Sequence, residues 1–235
     1  MKKTIIILHG WGLSGSKYSG LQKILEQKKY SVYSPDMPGF GKEPLKNFAM
    51  TIDDYVEFVT DFMKKKKIKS ANFIGHSFGG RVTAKLAITH PELIEKIVFT
   101  GSPLIREKLS TKKKIVQGFV NTSKIFINLL PQSVADICRK IVYRFIGEWD
   151  YYKAKDKKAT FLNVISENAS AYISNIKVPV ILIWGELDTV VSLATAKKII
   201  KKIKGARLVL IKNAGHAVPY IHTEEFAKKV LSFIN

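Results

Sequence analysis

Apolar residues in this chain gather in six short, nearly continuous runs: Thr4 to His9, Ser31 to Ser34, Ser70 to Gly75, Ile97 to Gly101, Val180 to Gly185 and Arg207 to Lys212. None alternates polar with apolar, so each predicts a strand buried on both faces, as in a parallel sheet. Between the runs the spacing changes to the three-and-four rhythm of amphipathic helices. It does so over Tyr18 to Lys28, Ile52 to Lys67, Gly80 to Thr89, Ala194 to Ile203 and Glu224 to Ile234. Strands alternating with helices predict right-handed crossovers and a doubly wound α/β sheet of about six mostly parallel strands. The rhythm breaks between Ser102 and Ile176, a stretch rich in Lys, Ile and aromatic residues and punctuated by Pro131 and Gly147. That stretch is too long for a loop in a compact domain and reads as an inserted helical subdomain. The expected organisation is one domain, with a core of residues 1–101 and 177–235 and an insertion over 102–176.

The chemistry gathers where strands end. Gly75-His76-Ser77-Phe78-Gly79 stands between the third strand pattern and the helix pattern after it. Glycines there permit a sharp turn that lifts a serine hydroxyl above the sheet edge. A serine hydroxyl is a weak nucleophile until a base takes its proton and an acid orients that base. Of the five histidines, His216 alone lies just past the last strand, in Asn213-Ala214-Gly215-His216-Ala217. His9, His76, His90 and His222 read as turn, cap or packing residues. Asp188 follows the preceding strand in Gly185-Glu186-Leu187-Asp188, with Glu186 a nearby competitor for the acid. Serine, acid and base thus fall at one edge of the sheet. The backbone N–H groups of Trp11, after the first strand, and of Phe78, after the serine, are the candidate donors to an oxyanion.

Composition changes this picture little. The chain has 235 residues, 46% of them hydrophobic, and a mean hydropathy of +0.01, which suits a globular protein. The apolar run Ile5 to Leu8 imitates a signal peptide but is followed by His9-Gly10-Trp11-Gly12 with no cleavage site, and no run spans a membrane. Cys138 is the lone cysteine, which fits a cytoplasmic location. The formal charge of +20 is spread over several clusters, including Lys64 to Lys67 and Lys112 to Lys114. No zinc-knuckle spacing or aromatic platform accompanies it, so the charge reads as solvated surface rather than a specific nucleic-acid site. No metal cluster or dinucleotide fingerprint is evident, and no cofactor is expected.

In order along the chain, "HGWG", "DMPGFG" (Asp36 to Gly41), "GHSFGG", "GELD" and "AGHA" (Ala214 to Ala217) resemble the α/β-hydrolase superfamily over essentially its whole length. The likeness is to its serine esterase branch, which includes pimeloyl-carrier-protein methyl ester carboxylesterases, small lactonases and carbon–carbon bond hydrolases. The resemblance implies Ser77 as nucleophile, Asp188 as acid, His216 as base and the insertion as a lid. Two departures stand out. The antiparallel hairpin that usually opens the fold is missing before Thr4, and Ala217-Val218-Pro219-Tyr220 is one residue longer than the usual loop after the histidine. Ser77 also excludes the dehalogenase and epoxide-hydrolase branches, which attack with aspartate.

The expected reaction is hydrolysis of carboxylic esters or lactones of small, mainly apolar acyl groups. A thioesterase or carbon–carbon hydrolase with the same triad is the alternative, and a catalytically silent basic binding protein the alternative of another class. Trp11, Phe78, Val190 and Val218 adjoin the catalytic loops, and Phe119, Phe126, Ile127, Leu130 and Trp149 supply apolar surface from the insertion. Arg139, Arg144 and the insertion's lysines are candidates to contact an acidic substrate or an acyl-carrier partner.

Overall fold

The structure, a computed structural model, describes residues 3–105 and 155–235. Six strands form one parallel sheet: β1 (Thr4–Leu8), β2 (Ser31–Tyr33), β3 (Ala71–His76), β4 (Ile94–Thr100), β5 (Val180–Gly185) and β6 (Arg207–Ile211). Their spatial order is β2-β1-β3-β4-β5-β6, with every neighbouring pair parallel. The predicted class and strand count hold. β2 forms one edge of the sheet, with no further strand beside it among the described residues.

Seven α-helices are described: α1 (Ser19–Gln27), α2 (Ile52–Lys65), α3 (Phe78–Thr89), α4 (Lys158–Ser166), α5 (Leu193–Lys202), α6 (Val218–Ile221) and α7 (Thr223–Ile234). The period-two geometry of a strand explains why the runs are continuously apolar. Ile6, Leu8, Phe73, Phe99 and Trp184 face one layer, where α2, α3 and α5 cover them. Ile5, Ile7, Ile74, Val98 and Ile183 face the other, against Leu21 and Leu25 of α1 and Phe226 and Val230 of α7. Strands covered on both sides need apolar residues at every position.

Local chemistry sets the helix starts. Thr51 caps α2 in a reciprocal box: its backbone N–H donates to Asp54 Oδ2 at 2.6 Å and its Oγ1 accepts from the Asp54 N–H at 3.3 Å. Ser192 caps α5 by accepting from the Thr195 N–H at 3.2 Å. No described helix is long and apolar enough to cross a membrane.

The chain leaves β1 toward β2 on one side, then returns to lay β3 on the other. This reversal is the switch point at which open α/β sheets bind ligands, outside the carboxyl ends of the strands. The loops after β1 and β3 therefore flank one crevice. Most of the insertion expected over 102–176 lies outside the described residues, which resume with a 3₁₀ turn (Lys155–Lys157), α4 and two further short 3₁₀ turns before β5.

Candidate active site

Ser77 sits between β3 and α3 with φ 51° and ψ −113°, a conformation L-residues seldom take. Such strain costs on the order of 1–3 kcal/mol and persists only where surrounding contacts hold it. Two backbone bonds do so: the Ser77 N–H donates to Thr100 O at 3.0 Å, and its carbonyl accepts from the Gly80 N–H at 3.0 Å. The motif's second glycine has a steric reason. A Cβ on Gly79 would lie 2.1 Å from the Leu8 carbonyl oxygen, and its N–H donates to His9 O at 3.1 Å. Helix α3 is thereby pressed against the end of β1, just before the loop that carries Trp11. The rings of Trp11 and Phe78, the two candidate oxyanion residues, meet edge to face at 5.4 Å between centroids. Phe78 is the first residue of α3, so its N–H is one of the donors a helix leaves without an internal partner.

Across the sheet, Asp188 and His216 are bound together. His216 Nδ1 lies 2.8 Å from Asp188 Oδ2, with the carboxylate side chain 1% exposed. The other oxygen, Oδ1, accepts from the Val190 and Val191 N–H groups, each at 2.9 Å, so both oxygens are satisfied. Because a carboxylate only accepts, Nδ1 of the histidine must carry the proton, and Nε2 of the neutral ring holds a free lone pair. The two loops are stitched by Leu187 N–H to Ala214 O at 2.8 Å and Glu186 N–H to Ile211 O at 3.0 Å. Glu186 is exposed and its carboxylate accepts from the Asn213 N–H at 3.4 Å, away from His216.

Gly101 brings the two halves together. It follows Thr100, the partner of the Ser77 N–H, and takes φ +55°. A Cβ there would come within 2.5 Å of His216 Cε1, so the imidazole lies directly on this glycine. Among the described residues no hydrogen bond joins Ser77 Oγ to His216. Such bonds are often long in unliganded sites and shorten when substrate arrives.

Trp11 also meets Phe40 at 4.9 Å and Phe161 of α4 at 5.0 Å, forming an aromatic wall beside the crevice. A cleft of about 910 Å³ opens from Trp11 past Leu13 and Phe40 toward Lys17 and Lys157. Val218 differs from expectation: it is buried in the layer beside α1 and α7, because the longer loop coils into α6 and turns that side chain into the core. Val190 is 64% exposed. Phe119, Phe126, Ile127, Leu130, Arg139, Arg144 and Trp149 lie outside the described residues.

Two residues of the site escaped sequence reading. Gly101 carries no motif around it, although a glycine directly after a strand was visible. His76, expected to be no more than a turn, cap or packing residue, is wholly buried and its Nε2 lies 3.1 Å from the His216 carbonyl oxygen. Burial, then the neighbouring His216, push its pKa down to about 3.

Comparison with known proteins agrees with this architecture. Residues 3–134 match the family described as alpha/beta hydrolase fold. The chain is 27% identical over 250 residues to a pimeloyl-[acyl-carrier protein] methyl ester esterase of Wigglesworthia glossinidia brevipalpis, covering 98% of this chain and 93% of the relative. It is 24% identical over 242 residues to a 2-hydroxy-6-oxo-6-(2'-aminophenyl)hexa-2,4-dienoic acid hydrolase of Metapseudomonas resinovorans, covering 98% and 83% respectively. Among solved structures, the enol-lactonase of Burkholderia xenovorans superposes with a TM-score of 0.74 at 22% identity, over 100% of this chain and 92% of that one. With the parallel sheet, the strained serine at its switch point and a family match over more than half its length, the chain is an enzyme of the α/β-hydrolase family.

Proposed function

We propose that this enzyme is a serine hydrolase that cleaves carboxylic esters or lactones of small, mainly apolar acyl groups. The observation that carries the reading is the buried Asp188–His216 bond, which leaves Nε2 of the histidine unprotonated at the edge where Ser77 is held. In the proposed cycle Ser77 Oγ attacks the substrate carbonyl as its proton passes to His216 Nε2. Asp188 keeps the imidazole in the required tautomer and offsets the charge of the imidazolium. The Trp11 and Phe78 N–H groups receive the oxyanion, each contributing about 3 kcal/mol in comparable sites. His216 then protonates the departing alcohol, and the acyl group stays on Ser77. Water, deprotonated by the same Nε2, releases the acid and restores the serine.

The aromatic wall of Trp11, Phe40, Phe78 and Phe161 supports an apolar substrate group, since such surface gains from leaving water. Similarity, at 27% identity, to a pimeloyl-[acyl-carrier protein] methyl ester esterase supports ester chemistry. Hydrolysis of a carbon–carbon bond by the same residues is the second reading, favoured by the likeness to the hexa-2,4-dienoic acid hydrolase. We read residues 102–176 as a lid over the crevice, the cytoplasm as the location, and an acyl-carrier partner as compatible with the +20 charge. A panel of p-nitrophenyl esters of rising chain length, run beside lactones, acyl-thioesters and a vinylogous 1,5-diketone, tests the reading. Fastest turnover on short esters or lactones is expected. Turnover of the diketone alone would replace the first reading with the second.

A further inference from the structure

His76 links three of the loops that form the site. It directly precedes Ser77, its Nδ1 lies 2.6 Å from Tyr18 Oη, and its Nε2 lies 3.1 Å from the His216 carbonyl oxygen. Tyr18 Oη in turn accepts from the Gly10 N–H at 3.2 Å, in the loop that continues to Trp11. The chemistry of these groups fixes the direction of every bond. A carbonyl oxygen only accepts, so Nε2 of His76 carries the proton. In the neutral ring Nδ1 must then accept, and the Tyr18 hydroxyl is its donor. The chain runs Gly10 N–H to Tyr18 O–H, to the His76 ring, to the His216 carbonyl, with no member in a mismatched role.

We propose that Tyr18 and His76 are positioning residues of the hydrolytic site, holding the backbone of the His216 loop in register with the loop that bears the Trp11 N–H. The proposal rests on the assignment of Ser77, Asp188 and His216 given above. A base and an oxyanion donor serve one tetrahedral intermediate, so their separation must be held to a fraction of an ångström, and this chain is a side-chain link between the two loops. The packing leaves little slack. The His76 and His216 ring centroids are 4.9 Å apart, Tyr220 of α6 closes on both Tyr18 and His76 at 5.7 and 5.9 Å, and a Cβ on Gly10 would come within 3.1 Å of His76 Nδ1.

Neutrality of His76 is part of the device, because an imidazolium develops on His216 during each turnover and a second cation alongside would oppose it. The titratable groups facing His76 are Tyr18, Tyr220, His9 and His216. None supplies a negative charge at neutral pH, since burial raises the pKa of both tyrosines. Burial and the two histidines favour the uncharged ring.

The test uses the full-length enzyme with p-nitrophenyl butyrate as probe and four variants: Tyr18→Phe, His76→Leu, the double variant and His76→Gln. A glutamine amide offers one acceptor and one N–H donor at nearly the spacing of the two imidazole nitrogens, so it can restore the chain. Displacement of a reacting group by about 1 Å costs on the order of a hundredfold. We expect Tyr18→Phe and His76→Leu each to lower kcat at least tenfold with KM within twofold, the double variant to be no worse than the poorer single, and His76→Gln to recover to within threefold of the parent. Losses that multiply in the double variant would show that the two residues do not act as one unit, and would overturn the proposal. So would a His76→Gln as slow as His76→Leu, or a Tyr18→Phe at full speed. Tyr18→Phe removes only the hydroxyl and keeps the ring, so the test stays decisive if His76→Leu fails to fold. Ser77→Ala, measured alongside, separates the two claims: its full activity would defeat the serine-hydrolase reading, whatever the Tyr18 and His76 variants do.

Discussion

The two edges of the sheet use the same unusual backbone conformation for opposite ends. At the carboxyl edge Ser77 and Gly101 take φ of 51° and 55°; at the amino edge Lys29, Lys67 and Gly205 take 68°, 56° and 77°. Lys29 and Lys67 lie just past helix ends. The Lys67 N–H donates to Lys64 O at 3.0 Å and the Ile68 N–H to Met63 O at 2.9 Å, the paired bonds of a Schellman ending. A Cβ on Gly205 meets nothing within 4 Å, whereas one on Gly101 strikes His216. At one edge positive φ ends helices and tolerates lysine in open solvent. At Ser77 and Gly101 it brings backbone against the candidate site, and at Gly101 a side chain is excluded. Substitutions at matched positions should therefore diverge sharply in their effect on turnover and little in their backbone cost.

The largest expected effect is at the strained serine. Ser77→Ala should lower kcat on ester substrates by on the order of 10⁶, the loss seen when a triad nucleophile is removed. The melting temperature should stay close to the parent's. An alanine variant with more than a few per cent of parental turnover defeats the nucleophile assignment. Asp188→Asn should follow, at about 10⁴ in kcat, because an amide facing Nδ1 favours the wrong tautomer. Glu186→Gln, made beside it, should change turnover less than threefold. The reverse order of those two would move the acid to Glu186.

Gly101→Ala comes next and joins the two edges most directly. The added methyl must push the His216 ring aside, a displacement costing on the order of a hundredfold in kcat. Gly205→Ala imposes the same φ strain, on the order of 1–2 kcal/mol for a left-handed L-residue. It should lower the denaturation midpoint with kcat unchanged. Equal turnover in the two variants would break the contrast between the edges.

How much of this was legible in sequence follows from how far each signal travels along the chain. Strands buried on both faces announce themselves as unbroken apolar runs, and five of the six were placed to within a residue. The exception, β4, begins at Ile94 rather than Ile97. Exposed Glu95 interrupts the run there because it faces the sheet's end, accepting from Ser70 Oγ at 3.0 Å and Asn72 Nδ2 at 3.1 Å. The loop after His216 coils into α6, with Pro219 in the first turn, where its missing N–H costs nothing. Four residues are too short for any periodicity to show. Ser77, Asp188 and His216 are legible as candidates because each lies within a few residues of a glycine and a strand end. Tyr18 and His76 are not, since a buried polar pair is recognised by its partners, and those lie 58 residues apart.

A smaller effect concerns the buried histidines and is read in stability. His76 is held down to about 3, against an ordinary 6.5, with burial as the first cause, and His9 is lowered for the same reason. Both release the burden on unfolding, so the unfolded chain binds protons at a pH where the native protein does not. Their contribution is complete above pH 6.5 and declines below it; for His76 the loss continues toward pH 3, at up to ~1.4 kcal/mol per pH unit. In urea titrations His76→Gln should flatten the decline between pH 6.5 and 4.5 relative to the parent. Parallel stability curves for the two proteins would show that His76 is not kept neutral by the fold.

The smallest effect belongs to the amino edge, where three opposing contributions meet at one lysine. Lys67→Gly removes left-handed strain worth on the order of 1–2 kcal/mol. Against this, glycine loses about 0.5–1 kcal/mol more backbone entropy on folding. A cation just past a helix C-terminus also contributes about 0.3–1 kcal/mol at low salt, and that is forfeited. At low salt the three nearly cancel; salt that screens the dipole leaves the first two, a net gain between about 0 and 1.5 kcal/mol. Chemical denaturation at low and high ionic strength should show the variant's relative stability rising with salt, while kcat stays at the parental value in both. A drop in kcat on substituting this exposed lysine would mean that the amino edge is coupled to the site, and that the division of labour between the two edges is false.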